Sequence, residues 1–384
     1  MKRFFKYSMT AVVALTLAAC SATDKPSGDA KLVLGVNYDL TGAGAQYGAA
    51  ELKGTQLAIK LYNENGGFNG EDVVLQVLDG KSEAQESYKA QTKLAEDGVF
   101  AIVGATISGT SAQAVKASGE QEVPTVSPSA TADEVTNDGT KGYPYGYRVC
   151  YSDMFQAVTM ANFTKDKGFT KVGIIGDNSN PYAKGLIDKY EEMAPDLGID
   201  ILWTETFSKG ETDFSSILTK VKNDKDVEAL FIPGYYGEVG PLLNQAHALG
   251  VDLPVLGVDG YESDEFIDLA GADALNNVFY SNHYSTLIDS SAHTAFVEAF
   301  EKEYNEKPNG FAALAFDATN LILDALERAG APDPKKVNEA IQSTKGFEAV
   351  TGVISIDELH NAEKATYVVE LKDGVEVDAT IVNP

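Results

Sequence analysis

Past residue 31 the chain is written as short apolar runs alternating with stretches of helical spacing, and few folds accept that order. Leu32 to Tyr38 reads as a strand. After a Gly-rich turn, Tyr47, Ala50, Gly54, Leu57, Ala58 and Leu61 recur at helical spacing until Gly66-Gly67 ends the helix. Val73 to Leu78, Phe100 to Val103 and Pro124 to Ser127 are the next strands, with helices over 84–95 and 110–120 between them. Beyond a long loop at 128–147, helices over 154–167, 182–194, 214–222 and 237–249 alternate with strands at 171–176, 199–204, 229–233 and 254–258. Such alternation implies parallel sheets covered on both faces. About ten strand–helix units are too many for one sheet, and the irregular 128–150 segment divides them. The expected fold class is α/β, with two doubly wound lobes and a ligand at the carboxyl ends of the strands. A late helical block, 290–328, must return to the first lobe to find a face to pack on.

Charge narrows the partners. Against 57 Asp+Glu stand 30 Lys+Arg, a net −27, which would repel phosphate backbones and excludes nucleic acid as a natural partner. Hydrophobic residues at 44% and charged residues at 23% are those of a globular chain. The N-terminus reads as an address. Lys2, Arg3 and Lys6 precede a largely apolar run from Tyr7 to Ala19, shorter than the roughly 20 residues a bilayer requires but suited to a signal-peptide core. The run ends in Leu17-Ala18-Ala19-Cys20, which looks like a bacterial lipobox; the alternative is an ordinary signal peptide with a chance cysteine. Residues 1–19 are thus expected to be a signal peptide, Cys20 the lipidated residue, and 20–30 a flexible tether on a protein held at a membrane outside the cytoplasm. The only other cysteine, Cys150, lies in the alternating run Tyr147 to Tyr151 and is expected to be a buried, inert thiol.

If ligands sit where strands end, the strand-to-helix turns are the informative places. Thr41 to Gly48 has the spacing G-x-G-x-x-x-G rather than G-x-G-x-x-G, so a dinucleotide site is not indicated. Gly104 to Ser111 combines hydroxyls and glycines at a helix start, where backbone N–H groups and the helix dipole would receive a carboxylate; helix capping alone is the plain alternative. Ser127-Pro128-Ser129-Ala130-Thr131 has the same hydroxyl character. In the second half, Tyr182, Tyr235 and Asp259 sit in three such turns, where capping the core edge or a helix is the competing role. Taken together, one lobe offers neutral hydroxyls and amides for a carboxylate, and the other offers tyrosines and an acid for an ammonium. Those are the two ends of an α-amino acid. Four histidines without metal spacing, and no nucleophile elbow, indicate neither metal, cofactor nor enzyme.

The stretches Tyr62-Asn63-Glu64-Asn65-Gly66-Gly67-Phe68-Asn69-Gly70, Ser127 to Thr131, Asp213-Phe214-Ser215-Ser216-Ile217-Leu218, Pro233 to Gly240 and Gln245 to Gly250 stand in a recognisable order. From about residue 31 onward the chain resembles the type I periplasmic-binding-protein receptors, and is most similar to the leucine/isoleucine/valine-binding proteins of ABC transporters. The resemblance implies two Rossmann-like lobes joined by a three-strand hinge, with 31–150 plus 283–350 as lobe 1 and 151–282 plus 351–384 as lobe 2. It also implies a monomer that captures an amino acid, a branched-chain one among the candidates, and delivers it to a membrane permease. By the same resemblance Ser108 and Thr131 hold the ligand carboxylate, while the Ser129 carbonyl and Thr131 hydroxyl help hold the ammonium. Asp259 pairs with that ammonium, Tyr182 and Tyr235 close over the ligand, and Tyr47 lies against its side chain. An amide, urea-like or aromatic-acid ligand, or a sensory role, is the alternative on the same fold. Three departures stand out. Asp259 is a methylene shorter than the usual Glu, Tyr47 replaces a frequent Trp and adds a hydroxyl, and Gly80 and Ile107 occupy the places of a disulfide found in some relatives.

Overall fold

The computed structural model describes residues 32–287 and 290–382. The expected signal peptide, Cys20 lipid site and tether lie outside the described residues. Five parallel strands build the first sheet: β1 (Val33–Tyr38), β2 (Val74–Asp79), β3 (Ala101–Gly104), β4 (Thr125–Ser127) and β5 (Gly146–Arg148), in the order β2-β1-β3-β4-β5. Apolar β1 is buried along its whole length, as a strand with neighbours on both sides and layers on both faces must be. Then follow β6 (Lys171–Asp177), β7 (Asp200–Phe207), β8 (Ala229–Phe231), β9 (Val255–Gly257) and β10 (Val278–Asn282). β11 (Phe347–Ala349), β12 (Gly352–Ile356) and β13 (Ala362–Glu363) form a small antiparallel sheet, and β14 (Thr366–Lys372) and β15 (Val375–Val382) a hairpin. The second sheet runs β15-β14-β10-β9-β8-β6-β7. It departs from the all-parallel expectation, because β14 lies antiparallel to β10 and β15 antiparallel to β14.

Eleven α-helices occur among the described residues. α1 (Ala45–Glu64), α2 (Ala84–Glu96) and α3 (Ser108–Gln121) link strands of the first sheet. α4 (Asp153–Asp166), α5 (Pro181–Met193), α6 (Ser215–Asn223), α7 (Tyr236–Ala248) and α8 (Asp264–Ala270) belong to the second half. The late block is two helices, α9 (Ser291–Tyr304) and α10 (Gly310–Ala329), followed by α11 (Pro334–Gln342). Asn305, at φ 56°, ends α9, and the Asn309 side chain accepts the Ala312 N–H at 3.0 Å to begin α10. As expected, the block returns to the first lobe. Leu314, Leu321, Ile322 and Leu326 of α10 share one core with Leu34, Val36 and Val103. Each such burial contributes about 1.5–3 kcal/mol. Gly54 makes the approach possible, since a Cβ there would stand 2.1 Å from Ala312 O on α10.

Two main cores follow the two sheets. The expected lobe junction at 350/351 does not match them: Ile354, Ile356 and Ala362 pack in the first core, and the chain reaches the second sheet only at Thr366. Residues 351–363 carry no helix, so the alternation that marks lobe membership elsewhere is silent there. The chain therefore passes between the cores between β5 and α4, after β10, and between β13 and β14. Cys150, in the first passage, is fully buried, bonds to Ala130 O at 3.3 Å, and has its thiol pushed up to about 12 by burial. Among the described residues no helix is long and apolar enough to cross a membrane.

Candidate functional site

The turns after β1, β3, β4, β6, β8 and β9 all open on the gap between the sheets. Tyr47, Ser108, Ser129, Thr131, Tyr182, Tyr235 and Asp259 together line one cavity there. Thr106, Ile107, Gly260 and Phe311 complete the wall, none of them expected from sequence as a ligand residue.

On the first-lobe side, α3 begins without a side-chain cap, so its first-turn N–H groups and dipole face the region of Ser108. The Ser108 oxygen accepts the Ala132 N–H at 3.2 Å, which leaves its O–H to donate. The Ser129 hydroxyl is engaged behind the wall, with Glu51 Oε1 and, at 3.0 Å, with Thr106 O. Glu51 also bonds the Thr106 hydroxyl at 2.5 Å, and burial pushes its carboxyl well above the usual range. Thr131 lies on a loop gathered by the wholly buried Arg148. One guanidinium nitrogen donates to the carbonyls of Ala130 (3.2 Å), Thr131 (2.6 Å) and Ala132 (2.8 Å), and another bonds Asn361 Oδ1 at 2.5 Å. The Thr131 carbonyl accepts the Asp153 N–H at 2.8 Å, and burial pushes the Asp153 carboxyl well up.

On the second-lobe side, Asp259 follows β9 and is buried. Tyr182 donates its O–H to Asp259 Oδ1 at 2.5 Å and accepts the Gly260 N–H at 3.0 Å. Burial first, and then the charge of Asp259, push the Tyr182 phenol well above its usual value, so it keeps its proton and donates. Asp259 Oδ2 stands 3.0 Å from His283 Nε2, and its backbone N–H donates to Gln156 Oε1 at 2.9 Å. Tyr182 and Tyr235 stack with ring centroids 4.9 Å apart and planes at 2°.

Hydrogen bonds join the lobes at the mouth. Tyr47, on α1, donates to Gly260 O at 2.6 Å, and its ring stacks on Phe311 of α10 at 4.3 Å. Two residues beyond Gly260, Glu262 Oε1 accepts the N–H of Gly310 at the start of α10 at 3.0 Å, a favourable place for a carboxylate. Arg148, Glu51, His283 and Phe311 all escaped sequence reading. Only Arg148 carried a local signal, a lone charge inside an apolar run.

The arrangement is a small chamber with hydrogen-bond donors at one end, an acid at the other and aromatic rings between them. Residues 31–376 match the family described as periplasmic binding protein. The leucine-, isoleucine-, valine-, threonine- and alanine-binding protein of Pseudomonas aeruginosa is 29% identical over 320 residues, 83% of this chain and 84% of its own length. The branched-chain amino acid transporter substrate binding protein LivJ of Streptococcus pneumoniae, solved with isoleucine, is 36% identical with a TM-score of 0.87, over 92% of this chain and 99% of that one. The leucine binding protein LivK of Thermotoga maritima is 31% identical with a TM-score of 0.85, over the same shares of the two chains. Fold, chamber and relatives agree, and the chain belongs to the periplasmic binding protein family.

Proposed function

We propose that this protein is an extracytoplasmic solute-binding lipoprotein of an ABC transporter that captures a branched-chain amino acid between its lobes and hands it to the membrane permease. The observation that carries the reading is the polarity of the chamber: uncapped α3 with Ser108 and Thr131 at one end, Asp259 with Tyr182 at the other. A zwitterion laid between them meets a complementary group at each pole, and the walls of Ile107, Tyr47, Tyr235 and Phe311 take an aliphatic side chain. The role is capture rather than catalysis. Relatives that bind branched-chain amino acids support the ligand class, and Cys20 after a signal-peptide core supports the anchor.

Hydrogen bonds to charged groups contribute about 1.5–3 kcal/mol each, and a buried Leu-sized side chain about as much. After the cost of capture, a micromolar dissociation constant near −8 kcal/mol is within reach. Leucine, isoleucine or valine should therefore bind with about micromolar affinity or better in calorimetry, once resident ligand has been removed by unfolding and refolding. Asp259→Asn, which keeps shape and removes charge, should weaken leucine by about 100-fold. Absence of heat with every common amino acid, in protein that refolds fully, would reject the reading.

A further inference from the structure

His283 follows β10 where the chain leaves the second sheet for the first lobe, and it is 2% exposed. It does not line the cavity; it stands behind Asp259, with Nε2 3.0 Å from Asp259 Oδ2. Its ring stacks on Tyr151 at 3.6 Å between centroids and 24° between planes, so two successive passages of the chain hold it. Burial outweighs the neighbouring carboxylate and brings the imidazole down to about 4, leaving it neutral with one N–H. A carboxylate only accepts, so Nε2 carries that hydrogen. Among the described residues Nδ1 has no partner, so the Asp259 bond and the Tyr151 stack set the ring's orientation.

Asp259 thus receives one donor on each oxygen, Tyr182 on Oδ1 and His283 on Oδ2, from elements on opposite sides. Each carboxylate oxygen has two acceptor sites, so both keep one for a ligand donor. Resting on the proposed function, we infer that His283 is a positioning residue that locks the short Asp259 side chain in the orientation that meets the ligand ammonium. Tyr182 alone would fix one oxygen and leave the carboxylate free to swing about it.

Two amides of different reach test this on the refolded mature protein. Gln at 283 places an N–H near the position of Nε2; Asn stops short, near Nδ1. His283→Asn should weaken leucine about 10- to 100-fold, the loss expected for one charge-assisted hydrogen bond, and His283→Gln should recover to within about threefold of wild type. In an Asp259→Asn background, His283→Asn should change leucine affinity less than about twofold, because the group it positions is gone. Equal affinities for the Gln and Asn variants, or the same fold-loss in both backgrounds, would overturn the assignment while leaving the amino-acid reading intact. Unchanged leucine affinity on Asp259→Asn alone would overturn that reading, and this assignment with it.

Discussion

Tyr47 stands where an added hydroxyl would compromise an aliphatic side-chain pocket, yet its oxygen faces the other lobe. It donates to Gly260 O at 2.6 Å and accepts the Tyr236 N–H at 3.4 Å, so the ring is what it presents to the chamber. Tyr47→Phe should therefore leave the order of preference among leucine, isoleucine and valine unchanged. It should weaken each about fivefold, the worth of one hydrogen bond made only when the lobes are together. Calorimetry with the three ligands checks this, and a change of order with no loss of affinity would count against it. Six of the chamber residues were legible because strand ends are predictable places and their turns carry conspicuous hydroxyls, tyrosines and an acid; the seventh, Tyr47, came from the family resemblance. Their supports were not. His283 reaches Asp259 only because β9 and β10 are neighbours in the sheet. Phe311 reaches Tyr47 only because α10 crosses back over α1.

α1 and α10 set the first-lobe side of the mouth through one close approach. A Cβ on Gly54 would come within 2.1 Å of Ala312 O, next to the Phe311 that stacks on Tyr47. Gly54→Ala should force the helices apart and cost about 1–3 kcal/mol, seen as a lowered midpoint of thermal unfolding. The same displacement should weaken ligand binding, although residue 54 does not line the cavity. The βα units were legible from periodicity because most strands are short and apolar and are followed by a helix with its own apolar stripe. The final stretch was not. Beyond α11 the chain makes two antiparallel features without helices, and the lobe boundary falls later than 350/351. The local signal for the last hairpin is Asp373-Gly374, both at positive φ, joining β14 to β15.

Three passages of chain connect the two main cores, and at the mouth the lobes also meet through hydrogen bonds and through the Tyr47 ring, which lies edge-on to Tyr235 and Tyr236. Lys209 and Glu83 approach at 3.7 Å, both largely exposed, and contribute little by themselves. The arrangement thus depends on the Tyr47–Gly260 and Glu262–Gly310 bonds, on the packing of Tyr47 against Tyr235 and Tyr236, and on whatever bridges Asp259 to Ser108. A ligand that touches both lobes shifts the population toward it. Small-angle scattering of refolded protein should show the radius of gyration decreasing on addition of leucine. Asp259→Asn should show no such change at the same concentration, and an identical radius with and without leucine would argue against hinge closure. The buried thiol of Cys150 has a practical corollary. A form lacking the first twenty residues offers no competing sulfur to a maleimide dye, so one cysteine engineered at the rim would take a single label and turn the molecule into an optical gauge of dissolved amino acid.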